Sequence, residues 1–207
     1  LVLCTALAGA AQPPALLPPI QLTPRVLPPA SARIGQVMPV LSVLDMGAHE
    51  RQLFAQRAPP GTIVVVRDPR CPVSLRYRPR LASLARQYQP LAYRFVFIYP
   101  TLDLEREQRL LDRARLGIPG IYVERGGFVL AERLGVGSTG DVFVLDASHR
   151  LRYRGAIDEQ YGIGYTKGLP TRHYLRDAIE AVASGGKVAT SATLAPGCHV
   201  VPDPGAE

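Results

Sequence analysis

A chain of 207 residues, 47% hydrophobic and 20% charged, can bury one core and carry an extended arm. Its formal charge of +7 comes from 24 Lys+Arg against 17 Asp+Glu, with Lys only at 167 and 187. That balance suits an acidic partner surface or anionic headgroups. The arginines are scattered with no basic–aromatic motif, which argues against nucleic acid, and a solvated basic surface is the simplest reading.

The opening stretch LVLCTALAGAAQ is apolar, uncharged and rich in small residues. Residues 1–11 read as the h-region and A-x-A-like end of a secretion signal whose basic part would lie upstream of Leu1. The run is shorter than the roughly 20 residues that span a bilayer, although apolar residues upstream would make it a membrane anchor. LVLC has the outline of a lipobox ending at Cys4, but Leu3 stands where a small residue belongs. Export is therefore expected, to a periplasmic compartment where disulfides persist.

Residues 12–33 form a Pro-rich extended arm, since proline removes backbone donors and disfavours helix in the residue before it. Leu16, Leu17, Ile20, Leu22, Val26 and Leu27 are unusual in a plain spacer, which suggests an arm lying along a protein partner or on its own domain, the alternative being a disordered linker with incidental leucines.

From Ile34 the pattern predicts two short strands around a turn at Met46 to His49, then a fully buried strand at TIVVV, 62 to 66. Val73, Tyr77, Leu81, Leu84 and Tyr88 recur at helical spacing, predicting a helix over 72–88 kinked by Pro79. A strand follows over 93–100. DLEREQRLLDRARLG then reads as an amphipathic helix ended by Gly117, and GGFVLAERLG as a shorter one. DVFVLD and RLRYRG form a hairpin through Ala147, Ser148 and His149. Tyr161, Tyr165 and the glycines of YGIGY suggest a packed loop, which Tyr174 joins. Thr171 is expected to cap a last helix that stops at Gly185 and Gly186. The tail, 186–207, is read as irregular and carries Cys198. The order β-α-β-α-β-β-α describes one α/β domain with a mixed sheet and helices on both faces.

The chemistry centres on RDPRCPVS. A buried strand, a short loop, Cys71 and a helix put the sulfur at a helix N-terminus, where partial positive charge favours the thiolate. Arg67, Arg70, Arg76 and Arg78 are near in sequence, and any that face the sulfur would lower its pKa further. A cysteine between Arg70 and Pro72 in a loop is not expected to be buried.

Strand, cysteine, a helix with proline eight residues after the cysteine, then β-α-β-β-α, resembles the thioredoxin fold in its redoxin, peroxiredoxin-like branch, over residues 34–185. The resemblance implies a three-layer sandwich with a mixed central sheet. In CPVS the first cysteine of the family's C-x-x-C is Cys71, Pro72 follows it, and Ser74 replaces the second. Pro79 matches the family's helix-kinking proline. The single-cysteine C-P-[IV]-S motif with a later G-C is similar to an exported redoxin subgroup. Two departures matter. The family's cis-proline position holds Gly140 after Thr139, and the Thr or Ser three residues before a peroxidatic cysteine is Asp68, which puts peroxide reduction in doubt.

Cys198 and Cys71 are then either a structural bridge, a catalytic pair with Cys71 attacking and Cys198 resolving, or two separate thiols. Metal binding through Cys71, His173, Cys198 and His199 matches no known spacing, C-x-x-C-H is absent, and no cofactor is expected. His49 and His149 read as solvated turn residues. The reading is a thiol–disulfide oxidoreductase acting on a disulfide substrate. Its rival is a non-catalytic subunit docked on a membrane complex through the arm.

Overall fold

The computed structural model describes residues 23–56, 60–101, 103–162 and 164–200. Strand β1 (Leu41–Asp45) turns through Met46–His49 into β2 (Glu50–Leu53). The Asp45 carboxylate closes that turn, accepting the N–H groups of Gly47 and His49 at 2.8 and 3.0 Å and Arg51 Nε at 2.7 Å. These contacts, the His49 N–H foremost, hold its carboxyl far below the usual range.

The run β3 (Gly61–Val66) is buried at every position. It lies between β4 (Arg94–Ile98), which runs parallel to it, and β6 (Val142–Asp146), which runs antiparallel. Ile63 and Val65 point into one core with Phe95, Phe97, Tyr122 and Val144. Val64 and Val66 point into the other with Val96, Ile98, Phe143 and Leu145. Burial on both faces explains a continuous β-branched run in place of an alternating one.

The segment expected to be one kinked helix is two, α1 (Pro72–Arg76) and α2 (Arg78–Tyr88). Tyr77, at φ −79° and ψ −4°, separates them, and Pro79 falls in the first turn of α2, where its missing N–H costs nothing. Helix α3 (Arg106–Leu116) starts with a capping box between Glu105 and Gln108 and ends at Gly117, whose φ of 62° suits glycine. Next comes β5 (Ile121–Arg125), a strand missing from the expected order. It is short and carries only three apolar residues, but glycines bound it on both sides. Helix α4 (Gly127–Leu134) and the hairpin of β6 with β7 (Leu151–Gly155) follow as expected.

The seven-stranded sheet has the order β2-β1-β5-β4-β3-β6-β7. Helices α2 and α5 (Tyr174–Ala183) pack into the first core and α4 into the second, giving the expected mixed sheet with helices on both faces. The YGIGY segment is a small hairpin of β8 (Tyr161–Gly162) with β9 (Tyr165–Thr166). Among the described residues no helix is long and apolar enough to cross a membrane.

Thr171 does not cap α5; His173 stands at that position and makes no side-chain cap. Thr171 instead donates its hydroxyl and, at 3.1 Å, its N–H to Glu159, a carboxylate 1% exposed that also pairs with Lys167 at 2.9 Å. Burial pushes the Glu159 carboxyl up, but these partners outweigh it and bring it down to about 2. A depressed carboxyl contributes stability above its ordinary value, and that contribution is lost as pH falls through the folded value. Acid titration from pH 4.5 to 2 should therefore weaken wild type more steeply than Glu159→Gln; parallel unfolding curves would contradict this.

The described part of the arm pairs with the domain's own tail. Leu27 N–H donates to Ala192 O at 3.0 Å, Leu194 N–H donates to Arg25 O at 2.8 Å, and Val26 faces Thr193 in an antiparallel bridge. Arg33 then reaches the carbonyls of Glu132 and Arg133 at the end of α4, a favourable place for a cation. Leu16, Leu17, Ile20, Leu22 and Cys4 lie outside the described residues.

Candidate functional site

Cys71 precedes α1 with extended backbone, and Pro72 occupies the first helical position. Its side chain is 1% exposed, contrary to the expectation for a loop cysteine. The reason is tertiary: the C-terminal tail crosses over it.

The tail is fixed on both sides of Cys198. Upstream, Thr193 is buried, its N–H donates to Arg154 O at 3.1 Å, and its hydroxyl accepts the Ala156 N–H at 2.9 Å. Downstream, Val200 inserts into the second core at 2% exposure. Between these anchors the tail runs antiparallel to the 137–140 loop. Thr139 N–H donates to Cys198 O at 2.9 Å, Cys198 N–H donates to Thr139 Oγ1 at 2.9 Å, and Val200 N–H donates to Gly137 O at 3.1 Å. The loop is shaped by the buried Asp141, whose carboxylate accepts the N–H groups of Gly137 and Ser138 at 2.8 and 3.1 Å. Gly140 is required for space: a Cβ there would lie 2.0 Å from the Pro196 carbonyl oxygen. Its value is close approach, not an unusual dihedral.

Ser74 directs its hydroxyl to the backbone and not to the thiols. It is 2% exposed; its hydroxyl donates to Thr139 O at 3.0 Å and accepts the Asp68 N–H at 3.3 Å, which pins α1 to two loops. Arg67, Arg76 and Arg78 are turned onto other partners, while Arg70 is held by Asp68 within range of the Cys198 charge. Arg67, 1% exposed, makes a bidentate pair with Asp112 (3.1 and 2.7 Å) and donates to Ser74 O. Tyr99 Oη adds a hydrogen bond to the same carboxylate at 3.1 Å. Arg70 folds back on Asp68, whose carboxylate also accepts the Arg70 N–H at 2.7 Å. Arg76 lies over the Tyr161 ring, and Arg78 Nε donates to Leu75 O at 3.4 Å.

Burial pushes the Cys71 thiol up, yet its pKa is lowered overall. The Thr139 hydroxyl, the Ser74 N–H, and the thiol and N–H of Cys198 all hydrogen-bond to its sulfur. The Ser74 N–H belongs to the first turn of α1, so the helix terminus supplies one of these donors as expected, and Thr139 and the tail supply the others in place of the arginines. Cys198 goes the opposite way, to about 11, through burial, the hydrogen bond to Cys71, and the negative charge of Cys71 and Asp68. The two thiols are thus pushed apart, Cys71 becoming the more acidic and Cys198 the less acidic of the pair.

Thr139→Val deletes the foremost donor to the Cys71 sulfur. A hydrogen bond to a charged group contributes about 1.5–3 kcal/mol, which corresponds to about 1–2 pH units in the thiolate titration. The thiolate ultraviolet absorbance should move to higher pH by that amount, and an unmoved midpoint would contradict the assignment.

The structure thus unites Cys71, Cys198, Thr139, Gly140, Ser74 and Asp68; Arg67 reaches the group through Ser74 O, and Pro79 lies exposed on α2. Asp112, Asp141 and Val200 were missed. A carboxylate four residues before the buried Leu116 on α3 was the one available sign of Asp112. Among the described residues no three His, Cys, Asp or Glu side chains form a group that would hold a metal ion.

No protein-family model matches the chain, and no curated protein matches it. Solved structures do. A hypothetical protein from Sinorhizobium meliloti 1021 is 25% identical, with a TM-score of 0.72 over 83% of this chain and 96% of its own. An uncharacterised conserved protein from Geobacillus kaustophilus is 20% identical, with a TM-score of 0.71 over 84% and 94%. A candidate thiol:disulfide interchange protein, DsbE, from Chlorobium tepidum is 12% identical, with a TM-score of 0.57 over 72% and 97%. The fold is thioredoxin-like, as the sequence resemblance implied.

Proposed function

We propose that the protein is an exported thiol–disulfide oxidoreductase whose redox pair is Cys71 and Cys198. The observation that carries this reading is the meeting of two free thiols from distant parts of the chain at Thr139, which is bonded to the N–H and C=O of Cys198 and accepts the Ser74 hydroxyl from the helix that Cys71 opens. Where a thioredoxin-type turn has its second cysteine, this chain has Ser74, and the tail supplies the missing thiol. Forming the bridge releases two electrons and two protons to an oxidant; opening it returns them to the dithiol.

The asymmetry of the two sulfurs supports cycling over a static bridge. A depressed Cys71 is a good leaving group when the bridge is attacked, and four hydrogen-bond donors stabilise the thiolate it becomes. The LVLCTALAGAAQ segment supports an exported setting, where such exchange has disulfide partners. The fold alone would not fix this function.

A dithiol peptide and its disulfide form, followed by chromatography, test the reading. Wild type should accelerate their exchange, and Cys71→Ser and Cys198→Ser should each abolish it. A Cys71→Ser protein that turns over at the full wild-type rate would end the proposal.

A further inference from the structure

We propose that partner thiols and disulfides exchange with the pair only at Cys198, and that Cys71 reacts only with Cys198. This rests on the redox-pair reading above and reverses the order expected from sequence, in which Cys71 met the substrate.

The geometry assigns the roles. Cys71 is 1% exposed, whereas Cys198 is exposed. The cover over Cys71 is no loose flap, because the tail is anchored by buried Thr193 and Pro196 on one side and buried Val200 on the other. Its main chain is bonded to the 137–139 loop between those anchors. The fit is close: a Cβ at Gly197 would lie 2.4 Å from Ser138 Oγ and 2.8 Å from Gly140 N. A partner cannot reach Cys71 without peeling a packed segment from the domain.

Displacement at sulfur runs in line with the bond that breaks, so the sulfur attacked must have its far side open. In the bridged protein that sulfur is Cys198. A partner thiolate attacks Cys198 Sγ, the Cys71–Cys198 bond breaks, and Cys71 leaves as the thiolate that Thr139 and Ser74 stabilise. The partner's second thiolate then attacks the partner sulfur of the mixed disulfide. Cys198 leaves and takes up a proton. The partner dithiol has lost two electrons, which the protein pair has gained; of its two protons one ends on Cys198 and the other passes through solvent to the Cys71 thiolate to complete the dithiol. In reverse, Cys198 gives up its proton and attacks a partner disulfide, expelling one partner sulfur; the Cys71 thiolate then attacks Cys198 Sγ and expels the other, and the two protons of the pair end on the partner dithiol. The substrate class is a dithiol or disulfide displayed on an exposed segment, which can approach a surface sulfur.

The test uses the full chain. The protein is oxidised mildly, mapped by mass, treated with the monothiol N-acetylcysteine, quenched in acid and mapped again. The adduct should sit on Cys198 in more than about tenfold excess over Cys71. Val200→Ala, which loosens the tail, should raise the share on Cys71 severalfold. If the first map finds no Cys71–Cys198 bridge, the redox-pair reading falls and this inference with it. If the bridge forms but the adduct sits on Cys71 in equal or greater amount, this inference alone is overturned. An unchanged partition in Val200→Ala would likewise overturn the shielding by the tail.

Discussion

Asp112→Ala should destabilise the protein by about 3–5 kcal/mol, the cost of leaving a buried charge unpaired. Arg67 is 1% exposed and the Asp112 side chain is fully buried, so no water replaces the lost carboxylate. Against a typical total of about 5–15 kcal/mol, such a loss brings the fold near its threshold. The effect should reach the site as well, because Arg67 also donates to Ser74 O and so holds α1 against the loop that presents Cys71. Asp112→Asn keeps the shape and one acceptor oxygen and should cost less. Replacing both partners by apolar residues of similar volume should recover much of the loss, since the pair is expensive to desolvate in the first place. Urea unfolding measures all three variants. A loss below about 1 kcal/mol for Asp112→Ala would place the pair among exposed, weakly contributing ones and refute its structural role.

Gly140→Ala has the second largest expected effect, and it strikes the pair without touching either thiol. The added Cβ would lie 2.0 Å from the Pro196 carbonyl oxygen, so the tail must move away from the 137–140 loop. Overpacking of this kind costs about 1–3 kcal/mol. More telling is the rate of Cys71–Cys198 bridge formation under mild oxidation. The tail acts as a tether that keeps one thiol at high effective concentration beside the other, and a misplacement of about 1 Å can slow a positioned reaction by about a hundredfold. We expect bridge formation to slow by at least about tenfold and Cys71 to become open to alkylation. A bridge that forms at the wild-type rate in Gly140→Ala would show that the close approach of Pro196 does not position Cys198.

Much of this was legible from residues alone where the signal was local. TIVVV announced a strand buried on both faces, Gly117 ended α3, and the hairpin of β6 and β7 followed from its turn. Cys71 and Ser74 could be named because a thioredoxin-type turn has a recognisable spacing, and Thr139 and Gly140 because they fall at the fold's cis-proline position. What escaped was set by contacts distant in sequence. Strand β5 is short and has few apolar residues; pairing with β4 and β1 makes it a strand. The loop position of Cys71 suggested exposure, but Val200 and Thr193, far downstream, lay the tail across it. Arg67 was visible, while its partner Asp112 sits on a different helix. Thr171 had the chemistry of a helix cap, but the buried Glu159 took its hydroxyl.

The central claim is that Cys71 and Cys198 cycle. Equilibrating the purified protein against glutathione buffers, with the bridge quantified by thiol trapping, gives the reduction potential of the pair. Because Cys198 is exposed and the Cys71 thiolate is stabilised, the account predicts a potential above about −300 mV, in the range of exchanging pairs. A value well below about −300 mV would mark a permanent structural bridge and contradict it.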